Sequence, residues 1–203
     1  MLLVQEKEPA MLIRTPAVGL TAFAAACSPS AEPEPETLFT ALSARCGQAF
    51  EGEVVSTDPR DADFASQRLV MNVRECGETE LRVPFHVGED RSRTWVITQA
   101  EDGRLRLKHD HRHEDGSEDV LTQYGGTSAA PASGLSVDFP ADAESRALFE
   151  REGIPDSMQN TWTMAIEGEE FAYILHRPNR HFEARFDLSE PVATPPAPWG
   201  STD

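Results

Sequence analysis

His109, His111 and His113 stand at alternate positions, and imidazole is both the commonest protein metal ligand and the side chain that titrates nearest neutral pH. On an extended chain, residues spaced by two project from one face. An H-x-H pair so placed can converge on one metal ion, with a further ligand coming from the next strand. If the chain turns at Asp115-Gly116, Glu118 lies opposite His113. His109, His111, His113 and Glu118 are therefore the expected ligand set for a divalent metal. The same row also suits a hydrogen-bonded cavity mouth, with the imidazoles answering Thr122, Tyr124 or backbone groups. Both readings stay open.

The row continues the apolar face of Leu105 and Leu107, which leaves Arg106, Lys108, Asp110 and Arg112 for the side facing water. From Phe50 onward the same period of two recurs between closely spaced turn signals, the pattern of an all-β sandwich or barrel. Hairpins can be tested by arithmetic, because a correct register sets apolar residues opposite apolar residues. A loop at Gly77-Glu78-Thr79 pairs Val73 with Val83, Met71 with Phe85 and Leu69 with Val87. A glycine-bulge loop at Glu101-Asp102-Gly103 pairs Ile97 with Leu107 and Trp95 with His109. Around Arg177-Pro178-Asn179-Arg180, Leu175 faces Phe182, Tyr173 faces Ala184 and Phe171 faces Phe186. The turn at Asp115-Gly116 sets His109 by Thr122, His111 by Val120 and Leu107 by Tyr124, with Arg112 opposite Asp119 outside. Further strands are expected at 135–139 and 162–166. A short helix opens the domain, with Leu38, Leu42 and Cys46 at helical spacing and Gly47 as its left-handed stop. A second helix, near 142–153, is capped by Asp142 and ended by Gly153.

Consecutive hairpins with one apolar face close most economically as an up-and-down barrel, which removes exposed edges. The expected fold is therefore mainly β, an antiparallel up-and-down barrel with these two helices. A barrel of this size often holds one small ligand. Its expected wall is Trp95, His109, His111, Tyr124, Trp162, Met71 and Phe85, although aromatics and methionine at strand period also serve as plain core. His176 and His181 read as solvated surface, and His86 falls opposite its strand's apolar side.

Residues Met11 to Ala26 combine a basic residue, a short apolar stretch and small residues before Cys27, the pattern of an export signal. Ala24-Ala25-Ala26-Cys27 resembles the lipobox of bacterial lipoproteins, though that family usually has leucine where Ala24 stands. The resemblance implies lipidation of Cys27 and anchoring in the outer membrane, facing the periplasm, because Ser28 rather than aspartate follows. Cleavage after Ala24 would instead give a secreted protein. With Cys27 acylated, Cys46 and Cys76 remain as a pair, and an exported pair is expected to form a disulfide. The organisation expected is a signal over 1–26, with translation starting at Met1 or Met11, and a lipidated cysteine with a Pro/Glu tether over 27–36. The barrel domain follows over 37–192 and a proline-rich tail over 193–203.

The architecture resembles the lipocalins, but their Gly-x-Trp signature is absent, with Phe50-Glu-Gly near its place. Gly103, five residues and His109-x-His111 resemble the start of the cupin metal motif. Asp115 replaces its glutamate, and the second motif is missing. Leu107-Lys-His-Asp-His-Arg-His-Glu-Asp-Gly116 and Val192-Ala-Thr-Pro-Pro-Ala-Pro-Trp-Gly200 are similar to segments of an uncharacterised group of exported bacterial proteins, a resemblance that implies no activity. A net charge of −17 argues against nucleic acid or an anionic lipid surface as partner. The chain carries no G-x-S-x-G, H-E-x-x-H or phosphate-loop motif. The sequence thus points to an envelope lipoprotein whose barrel binds a small molecule or a protein partner, with no cofactor expected. The alternative is a metal-binding protein or metal-dependent enzyme using the histidine row.

Overall fold

A computed structural model describes Leu2 and residues 36–201. The segments read as signal, acyl site at Cys27 and tether to residue 35 lie outside the described residues. No helix among those described is long and apolar enough to cross a membrane.

Helix α1 (Leu38–Ser43) starts at Thr37, whose side chain and that of Thr40 cap each other's backbone N–H groups. Its buried Leu38, Phe39, Ala41 and Leu42 join the core. The chain then leaves through Gly47 at φ +82°, the left-handed stop expected there. Eleven strands follow, with the short α2 (Ala62–Ala65) and α3 (Ala143–Arg151) between some of them: β1 (Ala49–Val54), β2 (Leu69–Asn72), β3 (Glu75–Cys76), β4 (Glu80–Val87), β5 (Asp90–Gln99), β6 (Leu105–His111), β7 (Tyr124–Thr127), β8 (Ser136–Pro140), β9 (Thr161–Glu167), β10 (Glu170–Arg177) and β11 (Arg180–Val192). The pairing order is β7-β6-β5-β4-β2-β1-β11-β10-β9-β8, all antiparallel, with β3 on β4 as an extension of β2. The result is a nearly closed ten-stranded up-and-down barrel. A disulfide joins Cys46, just beyond α1, to Cys76 in β3. Closing that loop across 30 positions is worth about 3–4 kcal/mol through the unfolded chain.

The hairpin registers carry the inward parity. Ile97 pairs with Leu107 and Trp95 with His109; Leu175 pairs with Phe182, Tyr173 with Ala184 and Phe171 with Phe186. Leu69–Val87 and Met71–Phe85 also pair as expected. Past Met71 the register slips by one, to Glu75–Arg82 and Cys76–Leu81, as β2 gives way to β3. Gly52 makes close approach possible on the other side of β1. A Cβ there would meet Arg185 O at 2.3 Å and the Phe186 ring at 2.5 Å.

The ring closes at a seam rather than through a full ladder. The edges of β7 and β8 meet in one bridge, Gly126–Ala141, and Asp142 N–H donates to Gly125 O at 3.0 Å. Both glycines are there because nothing larger fits. A Cβ at Gly125 would sit 1.9 Å from Leu107 O, and one at Gly126 would sit 2.1 Å from Pro140 O. Asp142, the N-cap of α3, accepts from Ser145 N–H, and Ser145 Oγ in turn accepts from Gly125 N–H at 2.7 Å. The cap of the helix therefore also fastens the seam.

The fourth hairpin departs from expectation. Tyr124, not Thr122, pairs with His109, and Gly126, not Tyr124, pairs with Leu107. Arg112 bridges Glu118, not Asp119. Five residues, 119–123, thus stand across from Asp110 and His111, and Gln123 takes a positive φ of 56° to rejoin the ladder. The charges of β6 do point outward, but Lys108 and Asp110 are buried. Lys108 Nζ lies 2.8 Å from Asp142 and 3.0 Å from Glu144, while Asp110 accepts from Arg82 at 2.7 Å and Arg112 at 2.8 Å. Residues 193–201 lie against the outside of the barrel: Trp199 N–H donates to Arg91 O, and Arg91 donates to Ala197 O.

Candidate functional site

The interior is divided. Its packed part is an aromatic stack in which Trp95 lies 4.9 Å from Phe85 and 4.5 Å from Tyr173 between ring centres, with Phe171 and Phe186 tilted or edge-on around it. Met71, Phe85 and Trp95 are sealed here, with at most 2% of their surface exposed. As correction to the expected pocket wall, these three line no cleft; ring volume fills the space that a ligand would need.

His109 belongs to the same sealed region. The Tyr124 carbonyl lies 3.0 Å from its Nδ1 and the Tyr173 hydroxyl 2.7 Å from its Nε2. A carbonyl can only accept, so Nδ1 carries the proton and Nε2 accepts from Tyr173. The ring stacks on Tyr124 at 4.5 Å. Burial, which outweighs the help from the Tyr124 carbonyl, pushes its pKa down to about 3. His109 is therefore a neutral, fully satisfied imidazole. Burial also pushes the Tyr124 hydroxyl up to about 12 and that of Tyr173 well above its ordinary value.

The rest of the row diverges from it. His111 is half-buried, and its pKa is lowered by burial and then by Arg93. His113 is exposed, 3.8 Å from Asp119. Glu118 is turned to the outer face, where Arg112 Nη2 lies 3.1 Å from its carboxylate. The cause is the bulge described above, since a one-residue slip moves a side chain to the opposite face. His109, His111, His113 and Glu118 are thus not gathered around a common point. Among the described residues no group of three His, Cys, Asp or Glu side chains is placed to hold a metal. His176 and His181 are on the surface as expected, whereas His86 is buried on the outer side of β4 with Nε2 unpaired and a pKa pushed down to about 4, mainly by burial.

One end of the barrel is open. There the turns after β4, β6 and β10 surround a cleft of about 680 Å³. Tyr124 is half-buried at its surface, while Trp162, Tyr173 and Phe149 lie beneath it with at most 7% of their surface exposed; His111 and Arg93 stand on one side, Arg177 and Arg180 on the other. Trp162 is 5.1 Å from the His109 ring, so the floor of the cleft is the roof of the sealed stack. His111, Tyr124 and Trp162 are the three of the seven expected wall residues that reach it. Trp199, from the segment 193–201, lines it as well.

No family model, curated protein or solved structure matches the chain.

Sequence reading missed Arg93, Arg177 and Arg180 as cleft residues. A signal existed in Arg177-Pro178-Asn179-Arg180: the arginines flank a turn at the end of the barrel to which the histidine row climbs. Turn residues usually face solvent, so the turn alone gives no reason to aim them at a ligand.

Proposed function

We propose that this protein is an exported envelope lipoprotein whose barrel binds a small molecule in the open cleft at its mouth. One observation carries the ligand reading: a concave site of about 680 Å³ that sets Tyr124 and the aromatic residues beneath it among polar and ionised side chains, at the end of a barrel with a packed core. Small-molecule sites are built this way, apolar on the floor with sparse polar groups fixing orientation. The envelope reading is supported by the lipobox-like run ending at Cys27 and by the Cys46–Cys76 bond, which suits an oxidising compartment.

The binding reading is tested by titrating tag-free, isotope-labelled protein with a library of soluble fragments. Hits are expected to shift the Trp162 indole and residues 119–123 together. Hits confined to other surfaces would overturn it. Lipidation is tested by mass spectrometry of the mature protein, where an acylated residue 27 and its loss in Cys27→Ser are expected. A mature form beginning at Ala25 without acyl mass would refute the anchor.

A further inference from the structure

The cleft has a charge pattern opposite to that of the chain. The protein is strongly acidic, with 35 Asp and Glu against 18 Lys and Arg. The ionised side chains lining the cleft are nevertheless Arg93, Arg112, Arg177 and Arg180 against Asp90 and Asp119. Most of these already have partners. Asp90 accepts from Arg93 at 2.5 Å and from Ser92 N–H. Arg180 pairs with Asp61 and lies 3.5 Å from Asp58. Arg112 is held by Asp110 and Glu118. Asp119 accepts from Leu121 N–H and faces His113.

Arg177 is different. Its Nη1 donates to Asn160 Oδ1 at 2.8 Å and to Ser157 Oγ at 3.3 Å, both neutral acceptors. No carboxylate of the described residues lies within ion-pair distance of it. The side chain is half-buried, Asp156 acts on it only from farther away, and Arg180 and Arg60 repel it. Because both contacts use Nη1, the Nε–Nη2 edge has no partner among the described residues. That edge is the planar fork that accepts a carboxylate, sulfonate or phosphate through two parallel hydrogen bonds. Asn160, itself buried, holds the guanidinium through Nη1, so the fork is positioned before any ligand arrives.

Resting on the small-molecule reading of this cleft, we infer that its ligand is an organic anion: a planar or compact apolar body laid on the half-buried Tyr124, above the buried Trp162, with its anionic group on the free edge of Arg177. The anion removes the cost of a half-buried cation held only by neutral groups, and the Tyr124 ring takes the rest of the molecule. Phosphate, sulfonate and carboxylate headgroups share this chemistry.

Matched probes test it: benzoate, benzenesulfonate and phenyl phosphate against benzamide and benzylammonium, followed by the Arg177 Nε–Hε and Trp162 indole resonances of tag-free protein. The anions are expected to move both signals and to bind about tenfold or more tighter than benzamide. Arg177→Gln should erase that preference while benzamide binding persists. Arg177→Lys, which keeps the charge but not the fork, should retain a reduced preference; this variant covers the case in which Arg177→Gln does not fold. Equal binding of benzoate and benzamide would overturn the anion and leave a neutral small-molecule site standing. Preference for benzylammonium would overturn it in favour of Asp90 and Asp119. If no probe moves either signal, both the anion and the small-molecule reading of this cleft fall.

Discussion

His109 and His111 are two residues apart on one strand and one face, yet they occupy different physical regimes. His109 is locked between Tyr124 O and Tyr173 Oη under a stacked ring, and every polar atom it has is spent on the fold. His111 faces the cleft, and no hydrogen bond holds its ring to another described residue. One strand position of about 3.4 Å per residue, taken twice, separates core from candidate site. The boundary between them is the layer of Tyr124 and Trp162, which seals the core below the cleft.

The comparison can be broken most violently at the seam. Gly125→Val would push a side chain into Leu107 O and pull Tyr124 off His109; loss of about 4 kcal/mol or more is expected, read as a collapsed midpoint in urea unfolding. Next comes His109→Ala, which opens a cavity and removes the acceptor of the Tyr173 O–H and the imidazole donor to the Tyr124 carbonyl. It should cost about 3 kcal/mol by the same measurement. A more gradual effect, spread over several pH units, sharpens the contrast. The folded pKa of His109 is about 3 and its ordinary value 6.5, so between them the unfolded chain binds the extra proton. Stability from this residue is fully present above pH 6.5 and drains as pH falls toward 3, by up to about 1.4 kcal/mol per pH unit. His86, lowered to about 4, adds a parallel loss over the upper part of that window. Urea midpoints measured across it should fall steeply in the native protein and less steeply in His109→Ala. The least effect belongs to His111→Ala, within about 0.5 kcal/mol of the native stability. A cost comparable to that of His109→Ala would show that the two positions are not distinct.

Much of the scaffold could be read from the chain because strand parity is a local rule. Trp95 opposite His109 and Tyr173 opposite Ala184 follow from turn position and alternation alone. The fourth hairpin failed the same arithmetic, since residues 119–123 bulge, and the expected Leu107–Tyr124 pair is as apolar as the true neighbours of Tyr124, so alternation gives no sign of the shift. Closure of β11 on β1 joins the two ends of the domain, and no local pattern encodes it. Nor does alternation distinguish a hollow interior from a filled one: Phe85 and Trp95 face inward in both cases, and only their mutual stacking shows that the space is taken. The cleft was half legible, through His111, Tyr124 and Trp162. Its arginines come from a turn whose direction depends on the tertiary fold.

The strap formed by residues 193–201 has a practical consequence. Trp199 borders the cleft, and Ser201 lies beside a separate hollow on the outer wall. A run of histidines engineered directly after Ser201 would therefore begin within reach of the cleft, and would bring together the imidazoles that the native row keeps apart.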